Sequence, residues 1–146
     1  MKLHNLLTDR IINGKENNME VINHECYVSL EIANLLKKVH FDWKCINRYI
    51  KDTNLLVPCL GEANWNATEW GMNDYKSAPT LAVAQKWLRE VKNVDVFAYR
   101  NESKDKFESI VSFDKEWSTT GICINTYEEA LETGIKKALE LILKKG

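Results

Sequence analysis

His24 and Cys26 lie two residues apart, a spacing that turns both side chains to one side of an extended chain and so permits a thiolate–imidazole pair. Such a pair would make the protein a thiol-dependent enzyme. The sharp elbow or glycine-rich setting that usually presents a nucleophile is missing around it. His4 stands in a stretch of uncertain structure, and His40 follows a predicted helix end, where an imidazolium complements the helix dipole. Cys26, Cys45, Cys59 and Cys123 are widely scattered, and His24-x-Cys26 is the single close pair. Zinc sites draw their ligands from close pairs, so the cysteines read as small, partly buried hydrophobes and no metal is expected. Six dispersed glycines form neither G-x-G-x-x-G nor G-x-x-x-x-G-K, and no nucleotide cofactor is expected.

Residues 60–78 are more informative. They hold Trp65, Trp70, Met72 and Tyr75, with Glu62, Glu69 and Asp74 against Lys76 alone, and they show no periodicity. Long aperiodic segments in compact domains are often functional. Two readings stand side by side. Aromatic residues among polar neighbours are typical anchors of a binding surface; an Ω-loop can equally fold its tryptophans back over a sheet to fill a core. Trp117, after Asp114-Lys115-Glu116, admits the same two readings. Trp65, Trp70, Tyr75 and Trp117 are therefore the candidate contacts, and the local negative charge favours a basic or neutral partner over nucleic acid.

Composition narrows the field. The chain has 146 residues, 45% hydrophobic and 28% charged, with a net charge of -1. That is an ordinary globular composition, long enough for a core without disulfides and too neutral to bind nucleic acid by bulk charge. Neither half is markedly basic or acidic. Met1-Lys2-Leu3-His4-Asn5 has no apolar signal core and no apolar run is long enough to span a bilayer, so the expected location is the cytoplasm, away from membranes.

The elements that must hold the candidate residues follow from local signals. Leu3, Leu6, Leu7 and Ile11 suggest a short helix or arm within residues 1–24. Ser29 is a good N-cap for a helix with Leu30, Ala33, Leu36 and Val39 on one face and Lys37-Lys38 in its last turn. Trp43 to Ile50 and Leu55 to Val57 read as a hairpin that Pro58 stops. A helix over Thr80–Lys92 carries Leu81, Ala84, Trp87, Leu88 and Val91, with Pro79 at its start and Asn93 as its left-handed cap. Val94–Tyr99, Phe107–Phe113 and Thr119–Asn125 are predicted strands. Thr126 and Glu129 form a capping box for a terminal helix, in which Gly134 suggests close approach of a neighbouring element. Leu30-Glu31-Ile32-Ala33 echoes Leu81-Ala82-Val83-Ala84, and each helix leads into an aromatic strand ending at Tyr49 or Tyr99, as a duplicated unit would. The helix–three strands–helix order of the second half matches a double-stranded-RNA-binding domain. Glu128, Glu129 and Glu132, however, stand where that domain needs lysines.

Tyr27-Val28-Ser29-Leu30-Glu31-Ile32-Ala33-Asn34-Leu35-Leu36-Lys37, Ala78-Pro79-Thr80-Leu81-Ala82-Val83-Ala84-Gln85-Lys86-Trp87-Leu88-Arg89-Glu90 and Tyr127-Glu128-Glu129-Ala130-Leu131-Glu132 together resemble a group of small proteins of bacteriophages and prophages of gut bacteria. The resemblance spans residues 25–145. Its motifs are structural and it carries over no catalytic or binding residue. It implies a phage-linked accessory protein in the bacterial cytoplasm.

The expectation is one α+β domain over residues 25–146, with an antiparallel sheet of about four or five strands packed by three helices, in the order helix, hairpin, loop, helix, three strands, helix. Its expected role is non-catalytic binding of a host or phage protein. The alternatives are a small-ligand binder with a pocket between the aromatic loop and the sheet, and an enzyme using His24 and Cys26.

Overall fold

Three capped helices and six strands are formed by the residues that the computed structural model describes, 25–51, 53–67 and 75–146. The arm predicted over residues 1–24 lies outside them. Helix α1 (Leu30–Lys38) starts where the Ser29 hydroxyl accepts the Ile32 N–H at 3.3 Å, and α2 (Leu81–Val91) where Thr80 accepts that of Val83 at 3.1 Å. Both end in a left-handed residue, His40 (φ 69°) and Asn93 (φ 57°). The chain then turns back so that the N–H groups of Phe41 and Val94 reach the carbonyls of Leu36 and Leu88. Helix α3 (Tyr127–Lys145) begins with the Thr126 hydroxyl accepting the Glu129 N–H at 3.1 Å, the forward half of the capping box.

The strands form two antiparallel sheets of three, where the sequence suggested one sheet of four or five. In the first, β1 (Cys45–Ile50) lies between β2 (Leu56–Ala63) and β3 (Tyr75–Ser77). In the second, β5 (Lys106–Phe113) lies between β4 (Asp95–Asn101) and β6 (Glu116–Thr119). The extra strand and the shifted strand bounds come from places where local signals are weak. β3 is three residues inside the stretch read as aperiodic. β2 does not stop at Pro58. The carbonyl of Asn47, which stands opposite Pro58, accepts the Ala78 N–H on the β3 side, so the proline nitrogen points to the free edge, where a missing donor does no harm. Beyond Pro58 the strand bulges, and Cys45 pairs next with Ala63. The third strand of the second sheet starts at Glu116 rather than Thr119, breaks at Gly121 (φ 74°), and rejoins the ladder at the Phe107–Ile124 bridge.

The suspected duplication has a definite register. A shift of 51 residues carries the cap Ser29 onto Thr80 and the pair Asn47–Pro58 onto the pair Ala98–Ser109. The two segments before the helices pair with each other, the Val28 N–H reaching the Pro79 carbonyl at 3.0 Å and the Leu81 N–H that of Cys26 at 2.8 Å. Tyr49 and Tyr99 are not equivalents. Tyr49 is buried, its hydroxyl donating to the Val28 carbonyl at 2.7 Å, whereas Tyr99 lies on the opposite, exposed side of its strand.

One hydrophobic cluster, including Val28, Leu36, Trp87, Val96, Val111 and Leu139, joins both halves. Helix α3 lies across the inner face of β4 and β5, and α1 packs against α3 and β3. Gly134 allows the first of these contacts. A Cβ there would sit 2.8 Å from Val96 Cγ1 and 2.9 Å from Ser109 Cβ. No described helix is long and apolar enough to cross a membrane.

Candidate functional site

With α3 covering one face of the second sheet, strand alternation decides what the other face shows. Val96, Ser109 and Val111 turn inward and are buried. Phe97 and Tyr99 of β4, Glu108 and Ile110 of β5 and Trp117 of β6 turn outward. Phe97, Tyr99 and Trp117 remain 44%, 38% and 55% exposed. Phe97 and Trp117 sit on strands either side of β5, about 9–10 Å apart at the backbone. Their ring centroids are only 6.0 Å apart and their planes 18° from parallel, so both rings lean inward and stack over the central strand. A stacked aromatic pair thus stands in the open.

Polar groups border this pair. Glu108 accepts the Tyr99 hydroxyl at 2.9 Å, the Asn101 amide at 2.7 Å and the Cys123 thiol at 3.0 Å. These donors, Cys123 foremost, hold its carboxyl below the usual range, so it is an anion at neutral pH. The same hydrogen bond to Glu108 pushes the Cys123 thiol and the Tyr99 hydroxyl up, because each would have to ionise against a carboxylate. Cys123 is therefore kept as a thiol, the unreactive form. On the other side of the aromatic pair Asp95, opposite Ser112, adds a second carboxylate.

The four residues singled out from sequence have different fates. Trp65 is 8% exposed; its indole N–H donates to the Cys45 carbonyl at 2.7 Å and its main-chain N–H to the Ser77 hydroxyl at 3.0 Å. The Arg48 guanidinium sits 4.6 Å from the Trp65 ring and 4.5 Å from that of the half-buried Tyr75. Trp65 is thus a core residue of the first sheet, the second of the two readings open for it. Trp70 lies outside the described residues. Trp117 is brought together with Phe97, and Tyr99 shares the same face; the sequence reading passed over both. Their signal was the run Val94-Asp95-Val96-Phe97-Ala98-Tyr99, apolar at nearly every position and so apolar on both faces.

No family model, no curated protein and no solved structure matches the chain.

The remaining chemistry is sparse. His24 lies outside the described residues, and Cys26 is exposed. Burial pushes the Cys45 thiol up to about 12. Among the described residues no three histidine, cysteine or carboxylate side chains converge as metal ligands. A cleft of about 490 Å3 between α1, α3 and residues 122–124 lies away from Trp65. Two of the three carboxylates on its wall are engaged within the fold: Glu132 accepts the Ser29 N–H at 3.2 Å and Glu31 pairs with Lys136 at 2.9 Å.

Proposed function

We propose that the protein is a non-catalytic protein-binding module, a phage-linked accessory protein of the bacterial cytoplasm, and that a host or phage protein docks on the outer face of the second sheet. The observation that carries this reading is the Phe97–Trp117 stack, exposed on a sheet face that no described element covers. Aromatic residues lose little conformational entropy when covered and dominate interface energetics. The phage connection is supported by the resemblance over residues 25–145.

Charge selects the partner chemistry. Asp95 and the ionised Glu108 leave negative charge on either side of the aromatic pair, which opposes phosphate; both Glu108 oxygens are filled by internal donors, so Asp95 is the carboxylate left to meet a cation. A guanidinium satisfies both features, since it stacks on an indole and pairs with a carboxylate. The docking segment is therefore a protein surface that presents an arginine beside apolar side chains.

Co-purification from lysogenic host cells, followed by calorimetry with the purified captured protein, tests this. The Phe97→Ala and Trp117→Ala variants should weaken binding by a factor of 10 or more each, roughly the 1.4 kcal/mol or more expected at an aromatic anchor. Binding should also weaken as salt is raised. A captured protein that binds both variants as tightly as the parent would refute the reading.

A further inference from the structure

The 51-residue repeat carries Asn47 and Tyr49 of β1 onto Ala98 and Arg100 of β4. In the first sheet the edge presented by those residues is filled. The Asn47 carbonyl accepts the Ala78 N–H at 3.0 Å, and Tyr49 stands opposite Lys76 of β3. In the second sheet the third strand has gone to the far side, next to β5, and β4 is left at the edge.

The direction of its main chain can be worked out. The Phe107 N–H donates to the Ile124 carbonyl and the Thr120 N–H to the Ser109 carbonyl, so these two residues of β5 bond toward the third strand. Their neighbours Lys106, Glu108 and Ile110 bond toward β4 through Asn101, Tyr99 and Phe97. Val96, Ala98 and Arg100 therefore aim their N–H and C=O groups away from the sheet. The Gln85 amide covers the Val96 carbonyl at 2.6 Å. Among the described residues nothing bonds to the main chain of Ala98 or Arg100. Natural proteins blunt such edges with proline, a bulge or charged side chains; β4 has no proline, lysine or bulge, and its one cation, Arg100, is paired with Asp105 at 3.1 Å.

We propose that this edge takes β4 of a second copy of the chain, antiparallel, on a two-fold axis passing through Tyr99. In that register Ala98 of each copy faces Arg100 of the other, and all the outward groups of both residues are paired. The Gln85–Val96 bond is undisturbed. Tyr99 meets its own counterpart at a non-hydrogen-bonded position, where cross-strand side chains approach most closely. Phe97 faces Asn101, so no like charges are opposed. The self-complementarity of the edge is what favours a second copy over a foreign strand. The product is a continuous six-stranded sheet in which the two aromatic faces lie side by side. This pairing does not depend on the docking function proposed above.

Light scattering coupled to size exclusion, over a concentration series of the full chain, is the primary test, and a dimer is expected at the upper end. Tyr99→Cys should crosslink into a disulfide-bonded dimer under mild oxidation, beyond the background of the parent chain. The two α-carbons would be about 4.5 Å apart, within reach of a disulfide. Phe97→Cys, roughly 13 Å from its counterpart at about 3.3 Å per residue, should not. Arg100→Pro, which removes an edge donor, and Tyr99→Lys, which opposes two ammonium groups on the axis, should both be monomeric. Tyr99→Lys keeps a charge complement for Glu108 on the neighbouring strand and decides the matter if the proline variant misfolds. Trp117→Ala should leave the dimer intact. A parent chain monomeric throughout, or a dimer that survives Tyr99→Lys, or crosslinking equal at positions 97 and 99, overturns the proposal.

Discussion

Trp65→Ala and Trp117→Ala delete the same indole from opposite environments, and their comparison tests the assignment of core and surface directly. Trp65 is 8% exposed and donates its indole N–H to the Cys45 carbonyl. Truncating a buried tryptophan costs about 3–5 kcal/mol. The orphaned carbonyl and the loss of the ring beneath Arg48 place this site at the upper end of that range, at about 4–5 kcal/mol. Trp117 is 55% exposed, and its main intramolecular contact is the stack with Phe97, worth about 0.5–1.5 kcal/mol. Its removal should cost about 1 kcal/mol. In a chain of this size 1 kcal/mol corresponds to roughly 3–5 °C in Tm, so the variants should melt roughly 12 °C or more, and about 4 °C, below the parent. Urea unfolding followed by far-ultraviolet circular dichroism gives both values without using the deleted fluorophores. Partner affinity should rank the other way, lost in Trp117→Ala and retained by whatever fraction of Trp65→Ala remains folded. Losses of 3 kcal/mol or more at Trp117, or under 1.5 kcal/mol at Trp65, would refute the reasoning, because the first value belongs to core sites and the second to surface ones.

Gly134→Ala should destabilise the fold by about 1–2 kcal/mol even though alanine is the better helix former by about 1 kcal/mol, since the new methyl overlaps Val96 and Ser109 and forces α3 off the sheet. Pairing it with Val96→Ala should recover part of the loss; stabilisation by the single change would show that α3 does not lie so close. The second expectation concerns acid. The folded carboxyl of Glu108 lies below its ordinary value of 4.5, so its contribution is fully present above that pH and is lost as pH falls through the folded value. The parent should therefore lose stability below about pH 4.5 more steeply than Glu108→Gln; parallel Tm–pH curves for the two would count against the three-donor arrangement.

Much of the fold was readable residue by residue wherever the cause is local. Ser29, Thr80 and Thr126 cap helices because a hydroxyl one turn from an unpaired N–H needs no distant partner. Asn93 takes the left-handed conformation for a similarly short-range reason. Pro58 misled because its effect depends on whether the strand is central or at an edge, a property of the sheet rather than of the residue. Trp117 was among the candidates, whereas Phe97, Tyr99 and Glu108 were not, because a run apolar on both faces carries no mark of which face a helix will cover.

That choice was made at a distance. Gly134, 38 residues beyond Val96 and 25 beyond Ser109, brings α3 against both, and the side chains on the other face are left in water as a consequence. The same holds for the strand partners: β3 joins β1 while β6 joins β5, and it is the second arrangement that leaves β4 at an edge. Caps, turns and amphipathic stripes are written within a few residues of where they act. Burial and strand pairing arise between segments far apart in the chain, so the exposed aromatic stack and the open edge emerge only once those segments have met.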